Sequence, residues 1–338
     1  MSKAAQGFGS LSYDKMAILR VLASTSEPMG SQVISRCLRD GYGVDLSERA
    51  IRYHLTSLDE MGLTQKVSRR DGRLLTERGR DEIDNAMVGD KIGFVIDKIE
   101  LLSYQATFDP VRKTGMIPIN TSLIPENEFK SALQCMKGAF KAKLGVSDKV
   151  AVYTAGKRVA GIVIPRGYVG FATVCSLVVN GLLLKNGIPL DSKFGGILQL
   201  QKNRPWRFSE LIQYSGSSLD PSEIFISGRM TNVTKAVETG SGKIVANFRE
   251  MPAMSLEKAH LLIDQLNAVG INPILAVGEP SRPVCEIPVG LNRVGMVMVG
   301  GLNPIAAAIE AGVNINNKAM SSLIEYDKLV SFWDLVKA

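Results

Sequence analysis

Histidine is nearly missing from this chain: His54 and His260 are the only two among 338 residues. A metal site built on three histidines is therefore impossible, and neither histidine neighbours a nucleophile turn of the G-x-S-x-G type. The four cysteines, at 37, 135, 175 and 285, are too scattered for a disulfide framework and show no C-x-x-C spacing. Long apolar runs are lacking too. The strongest, Val174–Leu184, falls well short of the roughly 20 residues that cross a bilayer. The opening MSKAAQGFGS has no signal-peptide core, so a cytoplasmic protein without membrane association is expected. No metal and no cofactor are expected, and the composition leans away from an enzyme.

The net charge of +7 is unevenly placed. Residues 1–90 carry 13 basic and 13 acidic side chains, whereas residues 91–338 carry 27 and 20. Nucleic-acid binding by the N-terminal region must therefore rest on local pattern, not overall charge. That pattern is present. Three helical stretches, Tyr13–Ala23, Gly30–Leu38 and Glu48–Met61, show apolar residues at i, i+3, i+4 spacing. Ser12 and Ser47 stand where N-caps belong, and Gly62 where a helix stops. Leu63–Ser68 and Arg73–Leu75 read as strands around Asp71-Gly72, a strong hairpin dipeptide, with a further helix expected over Asp81–Met87.

Helix, helix, helix, hairpin, helix is the order of a winged helix-turn-helix. In that geometry Ser47, Arg49, Arg52, Tyr53 and Thr56 lie at the start or outer face of the third helix, which enters the major groove. Lys66, Arg69, Arg70 and Arg73 lie on the hairpin, where they can clamp phosphates or enter the minor groove. A solvated charged face is the bland alternative, and a winged helix can also bind RNA or protein.

Beyond residue 90 the sequence repeats itself. Thr114-Gly115-Met116-Ile117-Pro118-Ile119-Asn120, with Pro125 following, matches Ser241-Gly242-Lys243-Ile244-Val245-Ala246-Asn247, with Pro252 following. Helical patterns follow near Glu126–Leu144 and Ser255–Val269, then apolar strands at Val150–Tyr153 and Pro273–Val277. Arg158–Gly167 aligns with Arg293–Gly301 across one gap, and Gly187–Lys193 with Gly312–Lys318. Each half reads β–β–α–β–β–α–β, with polar residues 201–222 as connector. The fold class is mixed α/β: a winged helix-turn-helix followed by an internally duplicated α/β domain.

Two glycine-containing corners offer backbone N–H groups to a small anion. One is read at Arg166-Gly167-Tyr168, leading to Thr173 and Cys175; the other is Gly300-Gly301 with Asn303 as helix cap. Arg158, Lys193, Arg293 and Lys318 lie near them in sequence. Neither corner is a nucleotide fingerprint, and each also reads as a plain strand–helix turn. Cys175, placed in the first turn of a helix, is expected to have a lowered thiol pKa if exposed.

The segments LSERAIRYHLTSLDEMGL, IPRGYVGFATVCSLVVNG and GMVMVGGLNPIAAAIEAG resemble the NrpR family of archaeal nitrogen-regulatory repressors. The resemblance covers nearly the whole chain. It implies a DNA-binding domain over 1–88 and an effector-sensing, dimerising domain over 91–338, with halves near 91–210 and 215–330. It further implies repression at a palindromic double-stranded operator of nitrogen-assimilation and nitrogen-fixation genes, relieved by 2-oxoglutarate. A homodimer is expected, or a higher oligomer, or assembly with a related chain of the family. Alternatives are a regulator of the same architecture sensing another anion, an enzyme with a duplicated α/β domain, and a protein-binding adaptor.

Overall fold

The computed structural model describes residues 11–25, 27–42, 44–68, 72–84, 94–159 and 162–337. They fall into two compact units, 11–84 and 94–337.

The first unit runs α1 (Tyr13–Ala23), α2 (Ser31–Tyr42), α3 (Glu48–Glu60), β1 (Thr64–Ser68), β2 (Gly72–Leu75) and α4 (Glu77–Asp84). Helical spacing of Ile18, Leu19, Ile34, Leu38, Ile51, Leu55 and Leu58 puts these side chains into one small core. Burying each is worth about 1.5–3 kcal/mol. Ser47 caps α3 by accepting the Ala50 N–H at 3.3 Å, and the Ser35 hydroxyl donates to the Leu46 carbonyl at 2.8 Å, fixing the turn between α2 and α3. The hairpin gains a third rung where Met29 bridges Arg73. Gly72 is demanded twice over: its φ is +90°, and a Cβ there would lie 2.2 Å from the Met29 carbonyl oxygen. The last helix starts before the expected Asp81, because the Thr76 hydroxyl accepts the Gly79 N–H at 3.0 Å and caps it. Residues 85–87 of that expectation lie outside the described residues.

The second unit opens with α5 (Phe94–Gln105), which periodicity reading missed. Its first repeat holds β3 (Met116–Pro125), α6 (Phe129–Lys141), β4 (Lys149–Tyr153), β7 (Tyr168–Val174), α7 (Leu177–Lys185) and β8 (Asp191–Gln201). A short hairpin, β5 (Arg158–Val159) and β6 (Ile162–Val163), is inserted before β7. After β9 (Arg204–Gln213), α8 (Pro221–Ser227) and α9 (Val233–Thr239), the second repeat follows. It holds β10 (Gly242–Pro252), α10 (Leu256–Ala268), β11 (Ile274–Val277), β12 (Arg293–Val299), α11 (Asn303–Glu310) and β13 (Asn316–Glu325). Finally β14 (Val330–Ser331) and α12 (Phe332–Lys337) close the chain.

The repeats exchange their last strands. One antiparallel sheet is ordered β13-β3-β7-β4-β14, the other β11-β12-β10-β8-β9. Strand β13 of the second repeat thus completes the first repeat's sheet, and β8 of the first completes the second's. Helices cross over likewise: α6 packs on α11, and α7 on α10. One continuous apolar core runs through both, including Ile119, Met136, Phe171, Phe248, Met298 and Ile305. The halves expected at 91–210 and 215–330 are therefore intertwined instead of side by side. The 201–222 connector is also corrected, since Arg204–Gln213 is a full edge strand paired with β8.

Strand pairing also corrects the internal alignment. Asn120 pairs with Thr173 and Asn247 with Met298, so Tyr168–Val174, not Arg158–Gly167, is the counterpart of Arg293–Val299. Both candidate segments share apolar alternation and glycine, which sequence spacing cannot separate. Among the described residues no helix is long and apolar enough to cross a membrane.

Candidate functional site

On the first unit, α3 turns its polar face to solvent. Arg49 and Thr56 are exposed, Tyr53 is 73% exposed, and Arg52 reaches Glu48 at only 3.8 Å. Such a surface pair contributes little, so Arg52 remains available to an anion. The Thr56 hydroxyl donates to the Arg52 carbonyl at 2.9 Å. Lys66 is exposed on β1. Ser47 is spent as the helix cap. Arg73 departs from the expected DNA face: its Nη2 and Nε lie 3.0 and 3.1 Å from Asp59 Oδ2, and Thr64 donates to the other Asp59 oxygen at 2.5 Å. This interaction ties the wing to α3, which a search for surface arginines cannot foresee. Arg69 and Arg70 lie outside the described residues. His54 is half-buried, with Nε2 3.7 Å from Asp14.

In the second unit, the two strand–helix corners meet at a small polar cavity of about 20 Å³. Cys175 and Ser176 line it from one repeat, Gly300 and Gly301 from the other. Asn120 and Asn247, equivalent in the duplication, face each other across it. Asn120 donates to Thr173 Oγ1 at 3.3 Å and accepts the Met320 N–H at 3.0 Å. Asn247 accepts a hydrogen bond from the Tyr214 hydroxyl and donates to Ser176 Oγ at 3.3 Å.

Arg249 decides the character of this cavity. It sits inside β10 with 1% of its surface exposed. Its Nε donates to Ser192 Oγ at 3.0 Å, and Nη1 lies 3.5 Å from Met298 sulfur. Among the described residues no carboxylate lies within 4 Å of it. Burial pushes its pKa down, and Tyr214, Cys175 and Asp220 push it back up. A guanidinium stays charged in proteins, and a buried charge without a counter-ion costs several kcal/mol. Asp220 shares the cavity wall, but its carboxylate is engaged by the Ser222 and Glu223 N–H groups at 2.8 and 3.4 Å. The cavity thus joins a buried guanidinium to the side-chain amides of Asn120 and Asn247, groups that suit a carboxylate. Arg249 was legible only as a charge interrupting the apolar run Ile244–Met251.

Other expected anion contacts fare differently. Arg166, Gly167 and Tyr168 form an exposed turn at the start of β7, at the opposite end of the strand from its corner. The true corner is Val174-Cys175-Ser176. Thr173 is buried as partner of Asn120. Asn303 is consumed in packing: it accepts the Val245 N–H at 2.8 Å and donates to the Val245 and Gly300 carbonyls at 2.9 and 3.2 Å. Gly301 is required by close approach, since a Cβ would lie 2.3 Å from the Val174 carbonyl.

Lys193 and Arg293 are neutralised in a four-charge cluster. Lys193 lies 2.6 Å from Asp191 and 3.6 Å from Glu250, and Arg293 lies 3.7 and 3.6 Å from the same two acids. Lys318 is exposed beside a separate cavity of about 530 Å³. The side chain of Arg158 lies outside the described residues. Cys175 is buried, so the exposure on which a lowered thiol pKa depended is not met: burial raises its thiol to about 11, although the Leu177 N–H and Arg249 pull down. Among the described residues no group of three or more His, Cys, Asp and Glu is placed to hold a metal.

Comparison with known proteins agrees with this division. The family described as "NrpR regulatory domains NRD1 and 2" matches residues 92–331, and the "Ribonuclease R winged-helix domain" family matches residues 16–83. The "Global nitrogen regulator NrpRI" of Methanosarcina mazei is 35% identical over 92% of this chain and 95% of its own length. The "Global nitrogen regulator NrpR" of Methanocaldococcus jannaschii is 31% identical over 92% of this chain but 54% of its own length. Its namesake in Methanococcus maripaludis is 32% identical, over 90% and 53%. The chain therefore spans about half the length of these two longer relatives. A crystal structure of a nitrogen repressor-like protein from Methanococcus jannaschii superposes with a TM-score of 0.60 at 28% identity, covering 70% of this chain and 98% of that one.

Proposed function

Because this chain belongs to the NrpR family of nitrogen regulators, and is a transcriptional regulator and not an enzyme, we propose that it represses nitrogen-assimilation genes and is released by 2-oxoglutarate. The winged helix holds a palindromic double-stranded operator through Arg49, Arg52, Tyr53, Thr56 and Lys66. A homodimer presents two such helices to two half-sites, about 34 Å apart for successive turns of duplex. The effector enters the cavity around Arg249.

One observation carries the effector half: a wholly buried arginine with no carboxylate within ion-pair distance among the described residues. One carboxylate of 2-oxoglutarate supplies the missing counter-ion. For release to follow, the anion must bind the DNA-incompetent arrangement more tightly than the operator-bound one. A switch from 1:99 to 99:1 needs about a 10⁴-fold difference. The cavity, at about 20 Å³, holds about one water and must enlarge to admit five carbons, so binding and rearrangement are inseparable.

The test is an operator-binding titration with and without saturating 2-oxoglutarate. The expected result is tight binding without it and strong weakening with it. Unchanged operator affinity sinks the effector assignment, and no operator binding at all sinks the repressor assignment. That small volume also favours a second reading, a regulator tuned to a smaller anion. A thermal-shift panel separates the two, since a ligand at 100 times its Kd adds about 2.7 kcal/mol.

A further inference from the structure

We propose that Lys98, on α5, is the specificity-determining cation of the effector cavity, taking the second carboxylate of a dicarboxylate whose first is held by Arg249. This rests on the reading of the cavity as the effector site and adds how that site tells a dicarboxylate from a monocarboxylate.

Helix α5 packs on side chains that line the cavity. Its Val95, Ile99 and Leu102 are buried in one cluster with Cys175, Leu177, Tyr214 and Met320, all but the last contributed by corners and loops that surround Arg249. Lys98 lies on the same helix, and its ammonium donates to the Ala319 carbonyl at 3.1 Å. Ala319 and Met320 line the Arg249 cavity. Met320 and Asp220 also line the neighbouring cavity of about 530 Å³, together with Lys98 and Lys318. The Lys98–Ala319 hydrogen bond therefore stands between a small space and a large one that share Asp220 and Met320.

Charge lines both spaces. Asp220 and Cys175 each feel both Lys98 and Arg249. The acids near by are already engaged: Glu223 accepts the Ala319 N–H at 2.6 Å, and Asp220 caps α8. Lys98 itself has no carboxylate within 4 Å among the described residues, only a carbonyl. Burial, and Lys318 next to it, hold its pKa below the ordinary value, against the opposite pull of Glu223 and Asp220.

Volume supplies the remaining step. A pocket for a small organic ligand needs about 300 Å³ or more, which the Arg249 cavity lacks and the neighbouring cavity of about 530 Å³, lined by Lys98, provides. A 2-oxo monocarboxylate satisfies Arg249 and leaves the ammonium on its carbonyl. A dicarboxylate of the right length satisfies both cations, and a site with such a donor rejects the ligand that lacks the acceptor.

The experiment is calorimetric titration of the full chain with 2-oxoglutarate and with 2-oxopentanoate, which has the same five carbons and no terminal carboxylate. The wild type is expected to prefer the dicarboxylate by about 10- to 100-fold, the range for one charged hydrogen bond. Lys98→Met should erase that preference while leaving 2-oxopentanoate affinity unchanged, and Lys98→Arg should restore much of it. Equal weakening of both ligands by Lys98→Met, or no change in their ratio, overturns the assignment and makes Lys98 a packing residue. If Arg249→Met abolishes binding of both while Lys98→Met does nothing, the cavity reading stands and only Lys98 falls. If the wild type binds neither ligand, the effector reading fails and this inference fails with it.

Discussion

The two repeats of the regulatory unit have the same backbone and opposite polar fates. Arg249 on β10 pairs across to Ser192 on β8, and its equivalent Ser122 on β3 pairs across to Asn317 on β13. In the first case a guanidinium donates to a hydroxyl at 3.0 Å; in the second a hydroxyl donates to an amide oxygen at 2.8 Å. One residue further on, Glu250 stands opposite Asp191, where the other repeat has Leu123 opposite Asn316. Apolar positions were held by packing, which tolerates little change in volume. Polar positions on the paired strands were free to diverge once each was satisfied. The lesson is that the buried guanidinium of the second repeat has no counterpart at Ser122 of the first, so one effector molecule per chain is expected in a calorimetric titration.

That contrast can be broken most sharply at the corners. Gly301→Ala should cost about 3 kcal/mol in denaturant unfolding, because its Cβ would strike the Val174 carbonyl. The equivalent Ser176→Ala loses one hydrogen bond from Asn247 and should cost about 1 kcal/mol. Equal costs would show that the corners do not approach as described.

Next comes the charge itself. Arg249→Met should weaken 2-oxoglutarate binding about 100-fold, while Ser122→Ala leaves it within about twofold. Thermal melting of Arg249→Met should be unchanged or higher, since an unpaired buried charge is removed. A lower melting temperature with intact binding would make the arginine structural.

The winged helix offers a similar contrast between an exposed and an internally paired arginine. Arg52→Ala should reduce operator affinity by about 1–2 kcal/mol in a binding titration and leave unfolding alone. Arg73→Ala should lower stability by about 1–2 kcal/mol through loss of the Asp59 contact.

The smallest effect belongs to the four-charge cluster. Arg293, Lys193 and Asp191 are partly exposed and screened, and Lys193 still faces the buried Glu250 when the arginine is removed, so Arg293→Ala should shift stability by only about 1 kcal/mol and less still in high salt.

Much of the first unit was legible. Helical spacing and the Ser47 cap are local signals, and local hydrogen bonds decide those elements, whereas Gly72, read as a turn centre, is the first residue of β2 opposite Ser68, and Asp71 lies outside the described residues. The duplication was legible too, as were Gly300, Gly301 and Cys175 as cavity-lining positions. The strand exchange was not, because β8 satisfies the same alternation whichever sheet it joins. Arg73, Lys193 and Arg293 were read as available cations, since a sequence gives charge but not the distance to Asp59, Asp191 or Glu250. Arg249 was passed over for the converse reason: nothing local distinguishes a buried arginine from one at a strand's edge.

Sequence by itself determined the winged helix and the exposed basic face of α3, through local spacing, and the twofold repetition, through matching segments such as Thr114–Asn120 and Ser241–Asn247. Tertiary structure alone decided which cations are spent and which is left wanting an anion. Electrostatic partnership depends on separation in space, and strands that cross between the repeats bring Lys193 and Arg293 to acids as distant in sequence as Glu250 and Asp191.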